Sequence, residues 1–588
     1  MEARALGGAT FLLLLASAAS AAPAANGAGE MQAENRAVAL AGSIVRNVKA
    51  MVRSTDGMLP NWYHSAWDAV RLRAIAPAMW AAVMVCLALS VMLMVEALFM
   101  SAVSLAVRLL QWTPEKRYKW EPLGGDLEAG SSSYPMVLIQ IPMYNEKEWL
   151  LRNRCDLSCG IWEQVYKLSI GAACGLLWPS DRMIIQVLDD STDPNIKDLV
   201  ELECKIWASK GMNIAYEVRD NRKGYKAGAL KEGMQHSYVE QCDYVAIFDA
   251  DFQPESDFLT RTIPFLVHNP KLALVQSRWE FVNPNECLMT RIQRVTLDYH
   301  FKVEQEAGSS TYAFFGFNGT AGVWRISAIK GAGGWNDRTT VEDMDLAIRA
   351  SLRGWKFVYV GDLKVMSELP SSFKAYRYQQ HRWTCGAANL FRKTAFEIWM
   401  TKEVSFWKKL YLLYSFFIVR KVVSHVVTFT LYCVIIPASV FVPEIKIPSW
   451  GVICIPTTIT LLNAIRNISS IHIIPFWILF ENVMAMHRMK ATIVGLWEGG
   501  RANEWVVTEK LGGTLKEKLL PEAAEIEKPS SCTHRFYFSE LGFAVFLLVC
   551  ASYDLTFGGD YYFVYIYLQS LAFFVVGFGY VGSFISSS

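Results

Sequence analysis

The sequence predicts an α/β domain of the doubly wound kind set between membrane-spanning helices, and three observations predict it. Apolar runs of strand length at 136–141, 183–188, 244–248, 272–275 and 357–360 alternate with helical stretches such as 195–210 and 225–238. Strands separated by helices argue for a parallel sheet. Two of these runs end in paired acids, Asp189-Asp190 and Asp249-Ala-Asp251, at the strand ends where open α/β sheets bind ligands. The apolar excess, finally, gathers before about residue 110 and after about residue 405, leaving a mixed middle.

Composition narrows the function. A hydrophobic fraction of 52% and a mean hydropathy of +0.20 exceed what a soluble protein needs. A formal charge of +2 argues against a nucleic-acid binder. The 12 cysteines are scattered, with Cys155 and Cys159 the closest pair, so neither a zinc site nor a disulfide framework is expected.

Residues 1–73 read as an N-terminal tail. Arg4, an apolar stretch at 11–15 and small residues at 19–21 fit a signal peptide, and equally an Ala-rich tail. Residues 74–110 hold a first membrane helix, since 78–95 carries no charge and a span needs about 20 apolar residues. Glu96, close to Arg108 and to Lys116 and Lys119, is expected at the interface. The catalytic-type domain covers 115–404. From 405 to 588 the chain is again apolar: 421–442, flanked by Arg420 and Lys421 on one side and Pro443 on the other, two shorter halves within 449–487, then 538–551 and 561–585. Five or six spans result. The cationic, aromatic stretch 487–505 suits an interfacial helix.

The chemistry starts at Asp249 and Asp251. Two close carboxylates repel unless a cation joins them, and oxygen ligands of this kind suit Mg²⁺ or Mn²⁺ shared with a substrate phosphate. Asp-x-Asp by itself is short and common; its neighbours give it weight. Asp190 lies at a parallel strand end, and Lys226 sits in a Gly-rich stretch, Lys223-Gly-Tyr-Lys-Ala-Gly, where backbone can approach a ligand. Thr340 to Asp343 has the spacing of a capping box, which places Asp343 in the first turn of a helix. There it is suited to act as a general base. On a helix, Gln379, Arg382 and Trp383 share one face; arginine can grip a diphosphate in bidentate fashion and an aromatic face can stack on a sugar. The set describes transfer from an activated phosphate donor to a hydroxyl, with inversion if attack on a sugar is in line.

In this order, Asp190, Asp249-Ala-Asp251, Glu342-Asp343 and Gln379-x-x-Arg-Trp383 resemble the motifs of processive inverting glycosyltransferases such as cellulose synthase. The likeness is closer to the plant cellulose synthase-like A group, the glucomannan 4-β-mannosyltransferases. It runs from about 115 to 515 and includes Gly224-Tyr-Lys-Ala-Gly-Ala-Leu-Lys-Glu-Gly233, the stretch 314–325 and the stretch 338–345. Thr384-Cys-Gly-Ala-Ala-Asn-Leu-Phe391 is similar to the A group rather than the related C group. The resemblance implies a GT-A (Rossmann-like) fold of glycosyltransferase family 2. It implies Asp190 and Asp343 as catalytic residues, Asp190 and Lys226 contacting the donor nucleotide and Asp343 serving as base. Asp249 and Asp251 would bind Mn²⁺ or Mg²⁺, Gln379 and Arg382 the diphosphate, and Trp383 the acceptor. Trp505-Val-Val-Thr-Glu-Lys510 resembles a gating loop, with Thr508 and Lys510 facing the phosphates beneath Trp505. The donor would be GDP-mannose, with GDP-glucose as a possible second substrate, and the acceptor a growing glucomannan chain.

Two departures stand out. Residues 149–164 interrupt a stretch that is continuous in the family, and Asn318-Gly-Thr320 forms a glycosylation sequon that reads as an internal, acceptor-facing loop. The resemblance implies a multi-pass Golgi membrane protein in contact with lipid, without nucleic acid, and leaves room for a homo-oligomer or accessory protein. A β-1,4-glucan synthase using UDP-glucose is the alternative within the enzymes; a non-catalytic membrane scaffold is the alternative outside them.

Overall fold

A computed structural model describes Ser43 and residues 61–123, 130–145, 149–151, 162–219, 221–465, 468–497, 536–558 and 562–582. The strands are β1 (Val137–Met143), β2 (Trp149–Leu151), β3 (Trp162–Gln164), β4 (Met183–Asp189), β5 (Ile214–Val218), β6 (Tyr244–Ile247), β7 (Gln253–Pro254), β8 (Leu272–Phe281), β9 (Gly322–Arg325) and β10 (Lys356–Ser367).

Eight of them form one sheet in the order β5-β4-β1-β6-β9-β8-β10-β7. Pairings β4–β5, β1–β4, β1–β6 and β8–β10 are parallel. β9 runs antiparallel to both β6 and β8, and β7 antiparallel to β10. The sheet is therefore mixed, not parallel as the strand–helix alternation suggests. The short Gly322–Arg325 strand carries no alternation or length by which sequence reveals it.

β1, β4 and β6 are buried almost throughout, as expected of Val/Ile/Leu runs covered on both faces. Their buried amides pair with each other: Gln140 donates to Gln186 (2.9 Å), which donates to the carbonyl of Gly233 (2.9 Å). One face is packed by Ile196 and Val200 of the Pro194–Ser209 helix and by Phe258 and Ile263 of the Phe258–His268 helix. The other is packed by Leu346 and Ile348 of the Glu342–Leu352 helix. On that side Met100, Leu412 and Phe417 join the same core, so apolar helices and α/β domain share one interior.

The Tyr225–Gly233 helix ends earlier than expected, since His236 leaves helical geometry before a short turn at Ser237–Val239. Trp149–Leu151 pairs antiparallel with Trp162–Gln164, so the interruption begins and ends as a small hairpin; 152–161 lie outside the described residues.

Among the described residues, three helices are long and apolar enough to cross a membrane: Ser65–Leu109, Phe406–Ser439 and Phe538–Phe557. Trp450–Ala464 and Tyr562–Gly577 are apolar but shorter. Three expectations are corrected here. Arg420 and Lys421 do not flank the second long helix but lie inside it. Glu96, expected at the interface, is buried against protein: it accepts from Ser415 (2.6 Å) and lies 3.8 Å from Arg420. Glu96 and Arg420 thus face each other, and Arg420 also faces Glu304, as buried charges need. And residues 487–497 are no separate interfacial helix. They continue the Ile474–Trp497 helix, whose Arg488 is buried against Tyr376 and Gln380. Gly495 makes the close approach possible: a Cβ there would fall 2.4 Å from the carbonyl of Cys385.

Candidate active site

β4 and β6 flank β1, so their carboxyl ends deliver Asp190, Asp249 and Asp251 to one rim. These three, with Lys226, Glu342, Asp343, Gln379, Arg382 and Trp383, line a single cavity of about 240 Å³. Every predicted site residue within the described region reaches it. Trp505, Thr508 and Lys510 lie outside the described residues.

The two members of the first acid pair diverge. Asp189 is fully buried, accepting from Tyr216 (2.8 Å) and from the backbone of Ser191 (2.8 Å). Asp190 turns to the cavity and is gripped by Arg219, whose Nε donates at 2.7 Å and whose Nη2 completes a bidentate pair. Arg219 also donates to the carbonyls of Lys223 (3.2 Å) and Tyr225 (3.0 Å), which fastens the Gly-rich turn to the strand end. Gly224 in that turn has φ +74 and no room for a Cβ beside Asp337, a conformation glycine adopts without penalty.

Lys226 follows on the Tyr225–Gly233 helix. Its Nζ donates to Asp249 and, at 2.9 Å, to the carbonyl of Gly319. Burial alone would lower its pKa, but Asp249, Glu342 and Asp343 outweigh burial and hold it above the ordinary lysine value. The backbone N–H of Asp249 donates to Thr320 Oγ1 (2.9 Å), and Asp251 accepts from Ser367 (3.1 Å). The sequon 318–320 is therefore an internal turn at the site.

Asp343 is in the first turn of the Glu342–Leu352 helix, but not through a capping box. Val341 holds the cap position and makes no side-chain cap, while Thr340 Oγ1 is buried without a hydrogen-bond partner. The carboxylate instead accepts from the N–H of Met344 (2.7 Å). Burial raises the pKa of both Asp343 and Glu342 above the carboxylate range; for Glu342 the adjacent Asp343 adds to the rise. For Asp343, Lys226, that N–H and Arg382 pull the other way. Desolvation here outweighs the helix-terminal field that would favour the ionised form.

Gln379, Arg382 and Trp383 project from one face of the Phe373–Met400 helix into the cavity, as their spacing predicts. Asp343, Gln379, Trp383 and Asn318 also border a second cavity of about 310 Å³ that extends toward Arg420, Lys421 and His425 of the second long helix. One chamber thus gathers the acids together with Lys226 and Arg382, the next is lined by aromatic rings and polar side chains, and Asp343 borders both.

Sequence reasoning missed Arg219, and also Arg222, whose guanidinium lies 3.3 Å from the ring centre of Tyr144 at the cavity mouth. Both follow β5, whose half-buried residues give no clear strand pattern; reading β5 would have put them at a strand end. Glu304 and Arg420 were also missed; a cation inside an apolar run was the available signal.

A mixed sheet with acids at its carboxyl rim, over a cavity that also holds Lys226, Arg382 and the adjacent carboxylates Glu342 and Asp343, is the arrangement of a glycosyltransferase of the GT-A kind. The family models agree: "Glycosyl transferase family 2" matches residues 139–320 and "Glycosyl transferase family group 2" matches 244–462. The chain is 65% identical over 517 residues to the probable glucomannan 4-beta-mannosyltransferase 4 of Oryza sativa subsp. japonica, covering 85% of this chain and 91% of that one. It is 62% identical to glucomannan 4-beta-mannosyltransferase 9 of Arabidopsis thaliana, covering 88% and 94%. It is 59% identical to glucomannan 4-beta-mannosyltransferase 1 of Oryza sativa subsp. japonica, covering 89% and 98%. The chain belongs to the glucomannan 4-beta-mannosyltransferase family.

Proposed function

We propose that this chain extends a β-1,4-mannan or glucomannan backbone by taking mannose from GDP-mannose, with GDP-glucose as a second donor. The observation that carries the reading is the meeting of Asp249, Asp251, Lys226, Asp343, Gln379, Arg382 and Trp383 on one cavity, in a chain of this family.

The acceptor hydroxyl attacks the anomeric carbon as GDP departs from the opposite face, turning an α-linked donor into a β-linked product. Asp343, which lines both chambers, takes the proton of that hydroxyl. Its raised pKa suits a base that must gain a proton during the step. Arg382 and Gln379 hold the diphosphate, Lys226 adds positive charge beside it, and Trp383 stacks on the acceptor sugar. Asp190, held by Arg219, faces the nucleotide end.

Asp249 and Asp251 fit a hard divalent cation, Mn²⁺ or Mg²⁺. They are oxygen donors one residue apart at one strand end, both lining the cavity, and such cations share one or two carboxylates with substrate phosphate oxygens. Bound there, the cation would neutralise charge developing on the leaving diphosphate.

In this reading residues 115–404 are the catalytic domain, 74–110 an anchoring span and 405–588 a membrane bundle. The protein resides in the Golgi membrane, with a second copy or an accessory protein as a potential partner.

The test is polymer synthesis in microsomes containing the full chain, with GDP-mannose and UDP-glucose supplied separately. Product from GDP-mannose that an endo-β-mannanase digests supports the reading. Product from UDP-glucose alone overturns it.

A further inference from the structure

Between the second long helix and the reaction centre runs a continuous polar chain. Arg420 lies 3.8 Å from Glu96 on the first helix and 3.7 Å from Glu304. Glu304 meets His300 Nδ1 at 2.8 Å, and His300 Nε2 lies 3.2 Å from Asn318 Oδ1. Gln305 supports the same turn, donating to Asn318 Oδ1 (3.1 Å) and to the carbonyl of Gly316 (3.2 Å). His300 and Glu304 both border the second cavity, and they stand four residues apart in the widened helical turn His300–Gln305.

The far end of the chain gives it meaning. Gly319 accepts from Lys226, Thr320 accepts from the N–H of Asp249, and Gly319 has φ +82 with its Cα so close to Asp343 that a Cβ would fall 2.8 Å from Oδ2. The turn 318–320 therefore sets how far the donor-side groups, Lys226 and Asp249, stand from the base. Among the described residues, Gln305 and His300 are what hold the Asn318 side-chain oxygen Oδ1.

We infer that His300 is a positioning residue for mannosyl transfer: anchored through Glu304 to Arg420 of the second long helix, it fixes the 318–320 turn and so the spacing between Lys226, Asp249 and Asp343. It touches neither donor nor base. The inference rests on the proposed transfer reaction.

The experiment compares full-length His300→Ala and Glu304→Gln with the unsubstituted enzyme in membrane vesicles, supplied with GDP-mannose and Mn²⁺. A displacement of about an ångström costs on the order of a hundredfold in rate. His300→Ala should lose about 10- to 100-fold in kcat while KM for GDP-mannose moves less than about threefold. Glu304→Gln keeps shape and an acceptor for His300 but drops the charge facing Arg420, and should lose less in the same sense. Val303→Ala, a buried apolar neighbour, is the control: it should lower thermal stability without the kcat effect.

If His300→Ala fails to accumulate, the near-isosteric Glu304→Gln carries the test. Full kcat in either variant, a rise in KM with kcat unchanged, or an equal kcat loss in Val303→Ala overturns the inference. Should the unsubstituted enzyme use a different donor, the function fails separately, and the same kcat ratios are read with that donor.

Discussion

Lys226 donates to the carboxylate of Asp249 and, at 2.9 Å, to the carbonyl of Gly319, so one ammonium joins the end of β6 to the glycine that abuts Asp343. Removing it should damage both the phosphate side and the geometry of the turn. Lys226→Met is expected to lower kcat/KM for GDP-mannose about 10²- to 10³-fold, in the range of losing one preorganised donor. Steady-state kinetics in membrane vesicles check it.

Gly319 cannot take a side chain without displacing the groups around it. Its φ of +82 is strained for any side chain, and a Cβ would press on Asp343 Oδ2 and Lys226 Nζ at 2.8 and 3.4 Å. Gly319→Ala should cost roughly a hundredfold or more in kcat, whereas Gly354→Ala, with φ +81 but open space around it, should cost stability and leave turnover near normal.

The adjacent carboxylates Glu342 and Asp343 link activity and stability with opposite signs. Burial, and for Glu342 the adjacent charge, raises their folded pKa values above the ordinary carboxylate range. Between about pH 4 and the raised values the folded state holds protons that the unfolded chain has lost, so this contribution to stability falls as pH rises. Over the same window Asp343 becomes the ionised base and turnover climbs. The acid limb of the rate profile should therefore lie above the usual carboxylate range, while the melting temperature declines across it. A limb near pH 4 contradicts the assignment.

Asp251 accepts from Ser367 and shares the cavity with Asp249. If these carboxylates hold a divalent cation, chelation should abolish transfer and Mn²⁺ should restore it. Asp251→Asn should raise the Mn²⁺ needed for half-maximal rate by about tenfold or more, about 1.4 kcal/mol. Titration of Mn²⁺ against the initial rate checks both.

The strands that carry the site were legible because β1, β4 and β6 are short apolar runs and because β4 and β6 end in acids. β9 was not, since four residues covered on both sides show no period. The acid pair after β4 looked symmetrical in sequence, yet Tyr216 captures Asp189 and Arg219 captures Asp190, partners some thirty residues away that only the sheet brings near. Gln379, Arg382 and Trp383 were readable as one helical face because the helix Phe373–Met400 is unbroken there. The Thr340 capping box failed because the helix begins at Glu342 with Val341 before it, one residue later than the motif requires. Glu96 and Arg420 read as boundary charges, since a sequence shows a charge in an apolar run but not the counter-charge facing it from another helix.

The central claim is that Asp343 accepts the proton of the attacking hydroxyl. Asp343→Asn is nearly isosteric and can keep its contact with the Met344 N–H through the amide oxygen, so donor binding should survive. The most direct measurement is mannose transfer from labelled GDP-mannose to a mannan oligosaccharide by that variant, alongside equilibrium binding of GDP. The account predicts GDP affinity within about threefold of normal and transfer reduced by about 10³-fold or more. Transfer within tenfold of normal, with GDP bound equally well, would contradict it.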